Sequence, residues 1–143
     1  MKDIDLKKVP EIVRLAQDDE EMNDLLALSP EALLIRWVNW HLKNSKSDRR
    51  VTNLGKDVAD GEVYTRVLHS IDPSCISLSN LSNDPNERAR EVLKSAEKLG
   101  IIPFISSSDI TTGNLKLNTV FTAEIFNHRH GLPPLDEAET QEF

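Results

Sequence analysis

Cysteine is almost absent from this 143-residue chain: Cys75 has no second thiol to pair with, which excludes an internal disulfide and suits a reducing compartment. Long apolar runs are missing too. A bilayer-crossing helix needs about 18 to 20 apolar residues in succession, whereas the longest runs here are a few residues in a chain that is 38% hydrophobic. No membrane partner is expected. Asp3 and Asp5 fall where a secretory leader would need an apolar stretch, which points away from export and towards the cytoplasm. Also lacking are a glycine-rich phosphate loop, the aspartate spacing of a calcium loop and any convincing set of alternating strands. The expected fold class is therefore all-α, and the length suits a single domain that buries a core without disulfides or a structural metal.

A catalytic constellation is missing as well. Ser95-Ala96-Glu97-Lys98 spells a nucleophile with a lysine base, but it falls inside an amphipathic helical pattern with no partner motif, so Ser95 is expected on a solvated helix face. His128 and His130 stand two apart, a spacing that does not share a helix face, and they read as charges complementing the end of a helix rather than as metal ligands. His41, centred on an apolar face, reads as a hydrogen-bonded core residue. Asp18 to Glu21 form a solvated acidic run, and Asn80-Leu81-Ser82 is a glycosylation acceptor without consequence in a chain that is not exported. The chain is expected to be no enzyme and to use no metal and no cofactor. Binding is the productive hypothesis.

What is present begins with charge, net −7 and unevenly placed. Residues 1 to 24 carry eight acids against four bases, residues 131 to 143 carry four acids and no base, and the body between is close to neutral. One basic cluster stands out: Lys43, Lys46, Arg49 and Arg50, interrupted by Asp48. Nucleic acid is not expected as a partner, because a phosphate-binding surface needs a far more basic domain.

Helix signals organise the rest. Ser29-Pro30-Glu31 reads as N-cap, first-turn proline and dipole-favouring acid, opening a helix from Pro30 to about Lys43. Leu34, Trp37 and His41 centre its apolar face, and Ala32, Arg36, Asn39 and Lys43 form a polar strip. A long loop over residues 44 to 58 follows. Asp60 then caps a helix carrying Val63, Tyr64, Val67, Leu68 and Ile71, stopped by Pro73. Asp84-Pro85-Asn86-Glu87 has the pattern of a capping box and opens a helix whose face holds Ala89, Val92, Leu93, Ala96 and Leu99, with Gly100 as its stop. Ser106 with Asp109 predicts a short capped turn, and Leu117, Val120, Phe121 and Ile125 a last long helix ending near Gly131. The core is expected to include Leu34, Trp37, His41, Val92, Leu93 and Phe121. Residues 1 to 28 read as a partly helical lead-in whose Ile12, Val13, Met22, Leu25 and Leu26 need a packing partner. Residues 29 to 131 read as the domain and 132 to 143 as an acidic flexible linker.

Taken together, Leu33-Leu34-Ile35-Arg36-Trp37-Val38-Asn39-Trp40-His41-Leu42 resembles the first long helix of fimbrin and plastin calponin-homology domains. Arg49-Arg50-Val51-Thr52-Asn53-Leu54-Gly55-Lys56-Asp57 and Asp60-Gly61-Glu62-Val63-Tyr64 look like the following loop and second helix, and Gly113-Asn114-Leu115-Lys116-Leu117-Asn118 like the entrance to the last helix. One departure is Leu115, where relatives usually carry proline. The run is most similar to the second of the family's four such domains. This resemblance implies an F-actin-binding module in which a preceding calponin-homology domain supplies most of the filament contact while this one supports and regulates it, in the actin cytoskeleton. It also implies a contact surface on the first helix, carried here by Arg36, Asn39 and Lys43 and continuing into Lys46, Arg49 and Arg50. The alternative is an adaptor domain that binds another protein without touching actin.

Overall fold

The computed structural model describes Leu15 and residues 27–78, 82–102 and 105–132, and the apolar lead-in residues Ile12, Val13, Met22, Leu25 and Leu26 lie outside them. Among the described residues there are five α-helices and no strand: α1 Pro30–Asn44, α2 Glu62–Ile71, α3 Pro85–Lys98, α4 Ser107–Thr111 and α5 Leu115–His128, with a 3₁₀ turn at Lys56–Val58. The all-α class is what the absence of alternation implied.

Each helix begins where a side chain satisfies its orphan amides. Ser29 Oγ accepts from Ala32 N at 3.2 Å ahead of Pro30. The N-cap of α2 is Gly61, which has no side chain to offer; Asp60 does the work one residue earlier, its Oδ1 accepting from Glu62 N at 3.0 Å. At α3 the expected capping box is rerouted. Asp84 caps Asn86 N, but Glu87 turns to Ser82, whose hydroxyl donates to Glu87 Oε2 at 2.7 Å and accepts from Asp84 N at 3.1 Å. The serine thereby takes the place of the direct backbone bond. At α4 the reciprocal box forms between Ser106 and Asp109, and Asn114 Oδ1 caps α5 at Leu117 N.

Packing follows the apolar faces. The α1 helix lies against α2 and α5, α3 against α2 and α4, and α4 against α5. Trp37, Tyr64, Phe121 and Phe126 are the largest fully buried side chains, joined by Leu33, Leu34, Leu42, Leu54 and Leu68. Val92 is buried with them; Leu93 is half-buried, on the rim of the core. A polar group inside the core is paired there: the Tyr64 hydroxyl donates to Asn118 Oδ1 at 2.8 Å, with Thr122 Oγ1 at 3.2 Å, which offsets the cost of burying it. Leu15 is buried on the same core, and its carbonyl accepts from Arg36 Nη1 at 3.3 Å.

Ser95 corrects the sequence reading. It is fully buried, and its hydroxyl has no hydrogen-bond partner. Its position explains this: Ser95 follows Val92 by three and precedes Leu99 by four, so it shares their inward face. A nucleophile needs a base within reach, and among the described residues none bonds this hydroxyl.

Candidate functional site

The basic cluster sits where α1 ends and its loop begins, and the ending itself is unusual. Lys46 N donates to Lys43 O and Ser47 N to Leu42 O, both at 2.9 Å, the crossed pair of bonds of a Schellman ending. That motif needs a left-handed residue, usually glycine. Lys46 holds the position with φ 64°. A β-carbon there crowds the following carbonyl, so the lysine is kept at a conformational cost.

Beyond it, the loop is fixed by polar side chains. Asn39 bonds both backbone groups of Val51: its Nδ2 donates to Val51 O at 3.0 Å and its Oδ1 accepts from Val51 N at 2.8 Å. Arg49 spans to the start of α2, with Nη1 2.6 Å from Asp60 Oδ2 and 3.7 Å from Glu62 Oε2, while Nη2 donates to Asp57 O at 2.7 Å. Asp57 Oδ2 accepts from Thr52 N and Thr52 Oγ1, and these bonds hold its carboxyl below the usual carboxylate range. Val51, Leu54 and Val58 are buried beneath, so the long loop is a packed element.

These bonds divide the six candidates taken from the sequence. Asn39 and Arg49 serve the loop from within; both are half-buried, and neither is the free surface group that the helical wheel and charge pattern suggested. The wheel places Asn39 on a polar strip correctly, but at Asn39 that strip meets the returning loop. Arg36 is half-buried as well and bonds Leu15 O. Lys43, Lys46 and Arg50 are exposed, and no ion pair engages them among the described residues. Arg50 is held to the backbone, its Nη1 donating to Ser47 O at 2.9 Å and to Arg49 O at 2.6 Å. The geometry thus presents three cations, Lys43 in the last turn of α1 and Lys46 and Arg50 on the following loop, which two other polar residues pin. No sequence signal marks the Arg49–Asp60 pairing or the left-handed lysine, because both depend on where the chain returns.

On the inner side of the same helix end, Trp37 and His41 are fully buried. Trp37 Nε1 and His41 Nε2 lie 2.7 Å and 2.8 Å from one acceptor, the carbonyl of His130. That carbonyl can only accept, so His41 carries its proton on Nε2. Nδ1 then accepts from the Ser70 hydroxyl at 2.6 Å, and Ser70 Oγ accepts from Asn44 Nδ2 at 2.8 Å. Burial pushes the His41 pKa down to about 4, outweighing the carbonyl bond, and the neighbouring His130 adds to the lowering. His130 lies beyond the last turn of α5, where it serves this bond through its backbone; the dipole-facing role remains with His128 alone, 3.6 Å from Glu124 Oε2.

An open cleft of about 880 Å³ runs between the α2–α3 connection and α3. Its charges are of both signs and largely engaged: Arg88 bonds the carbonyls of Asp60 and Ser82, Lys98 that of Cys75, and Lys94 approaches Glu91. No group of three metal-ligating side chains occurs among the described residues, and no helix among them is long and apolar enough to cross a membrane.

Comparison with known proteins adds the family. Residues 28–131 match the calponin homology (CH) domain family. The chain is 46% identical to fimbrin of Saccharomyces cerevisiae over 97% of its own length and 22% of that protein's, and 35% identical to plastin-3 of Bos taurus over 98% and 23%. It therefore spans less than a quarter of the length of these relatives. Among solved structures, the actin-crosslinking core of Schizosaccharomyces pombe fimbrin matches with a TM-score of 0.74 at 39% identity, covering 85% of this chain and 26% of that one.

Proposed function

The chain belongs to the calponin homology domain family, and on that premise we propose that it is an actin-filament-binding domain, the second CH domain of a tandem in a fimbrin-type cross-linker. The observation that carries this reading is the likeness to a fimbrin's actin-crosslinking core, at 39% identity and a TM-score of 0.74 over 85% of the chain. In this role the domain supports and regulates filament binding by a preceding CH domain, and it works in the cytoplasm on the actin cytoskeleton.

The site's chemistry gives the domain a secondary part. A filament surface is acidic, and a chain of net charge −7 is repelled by it overall, with local attraction offered by the exposed cluster of Lys43, Lys46 and Arg50. Three solvated cations supply a weak, salt-sensitive contact. Coupling to a preceding domain turns that contact into an intramolecular one and amplifies it by about a hundredfold or more. The burial of Leu15 and the bond of its carbonyl to Arg36 support contact between that residue of the lead-in and this domain.

The test is filament cosedimentation of the chain alone, of the chain joined to its preceding domain, and of the joined form with Lys43, Lys46 and Arg50 changed to glutamate. Arg49 is left intact, since a glutamate there would face Asp60 and Glu62. The joined form is expected to bind well, the chain alone weakly, and the triple variant less tightly with a flatter salt dependence. Joined forms that bind equally with and without the three cations would assign this domain a packing role only. Absence of binding in every form would favour a CH adaptor that recognises another protein.

A further inference from the structure

Beyond the last turn of α5 the chain does not simply leave. His130 O receives both the Trp37 indole and the His41 imidazole, and His130 Nδ1 accepts from Leu132 N at 3.0 Å, closing a tight turn. Gly131 takes φ 65°, and a β-carbon there would stand 2.9 Å from both His41 Cε1 and Ile71 Cγ1. Leu132, assigned from sequence to the following linker, is 5% exposed and belongs to the core. These three residues form a strap lying across the inner side of the end of α1.

We propose that this strap is a latch on the end of α1, coupling the chain that leaves the domain to the basic loop on the opposite side of the helix. The coupling runs through shared atoms. Lifting the strap strands two buried N–H donors, on Trp37 and His41, and a buried donor without an acceptor is costly, so the indole and imidazole must move with it. His41 is also part of the loop's foundation: its carbonyl accepts from Ser45 N at 2.9 Å, one residue before Lys46, and its Nδ1 is tied through Ser70 to Asn44. A displaced strap therefore loosens the turn that holds Lys43 and Lys46, and a force or ligand that orders that turn tightens the strap, since coupling between two sites is reciprocal. Its consequence for filaments rests on the function proposed above; the coupling itself does not.

Hydrogen exchange in the joined two-domain protein tests it. Gly131→Ala introduces the obstructing carbon, and Leu132→Ala removes the strap's anchor without adding atoms, which keeps the test available if the first variant fails to fold. Either is expected to accelerate exchange at Ser45, Lys46 and Ser47 by about tenfold or more while Gly100 and Ile101, in the matching turn of α3, change by less than about twofold. Conversely, Ser70→Ala, made on α2 where the hydroxyl ties His41 to Asn44, is expected to accelerate exchange at Leu132. Uniform acceleration at both turns, or none at the end of α1, would overturn the latch. Filament binding measured on the same variants separates the two readings: selective loosening with unchanged cosedimentation leaves the latch standing and removes the α1 loop as a filament contact.

Discussion

The α1 and α3 helices end in the same hydrogen-bond geometry with different residues. At α3, Gly100 N donates to Glu97 O and Ile101 N to Ala96 O, with Gly100 at φ 87°; at α1 the same crossed bonds surround Lys46 at φ 64°. The α3 ending uses the residue that costs nothing in this conformation, and nothing lies within 4 Å of where its β-carbon would be. The α1 ending keeps a long cation against its conformational preference. It is also tied inward by Trp37, His41 and Asn44, whereas in the last turn of α3 the side-chain tie among the described residues is the bond from Lys98 to Cys75 O at 3.4 Å. A helix end that only stops a helix is built cheaply, and one that presents a side chain is reinforced from behind.

The largest expected effect probes that reinforcement. Trp37→Ala removes a fully buried aromatic and one of the two donors on the His130 carbonyl, and should destabilise by about 3 to 5 kcal/mol in denaturant unfolding. Leu93→Ala on the rim of α3 should cost only about 1 to 2 kcal/mol. Similar values for the two would erase the contrast.

Acid comes next. The unfolded chain protonates His41 near its ordinary value of 6.5, whereas the folded chain resists until about 4. The folded state binds fewer protons in this window, so stability is complete above about pH 6.5 and falls towards pH 4, by on the order of 3 kcal/mol. Unfolding midpoints at about pH 7 and about pH 4.5 measure the loss, and His41→Gln should flatten it. The depressed carboxyls of Asp57 and Asp72 act in the same direction only at still lower pH.

The two smallest effects exchange the endings. Gly100→Ala should destabilise by about 1 kcal/mol through backbone strain alone. Lys46→Gly should do the opposite, stabilising by roughly 0.5 kcal/mol in thermal unfolding while weakening filament cosedimentation of the joined protein. A destabilised Lys46→Gly variant would show that the lysine is held for its packing.

Much of the fold was legible because its signals are local. Ser29-Pro30, Asp84-Pro85 and Ser106 with Asp109 start helices within three residues of themselves, and the helical period put Leu34, Trp37, His41, Val92 and Phe121 on faces that are buried. Ser95 was misread: its spacing from Val92 and Leu99 marks the inward face, but its polarity suggested solvent. The site resisted for a different reason. Asn39 and Arg49 look like any surface amide and cation until Val51 and Asp60 are brought to them, and His130 looks like a helix-terminal charge until its backbone is found under Trp37. Composition and periodicity carry no record of which polar group a returning segment will satisfy.

The bond from Trp37 to His130 joins residues 93 positions apart, and that span has a consequence for how the chain is made. Translation proceeds from the N-terminus at about 5 to 20 residues per second, so α1 emerges seconds before the carbonyl that its indole and imidazole require. Until then the helix has an apolar face with two donors waiting on it, and premature collapse would bury them unpaired. The first long helix of this domain to be synthesised is thus among the last to be completed.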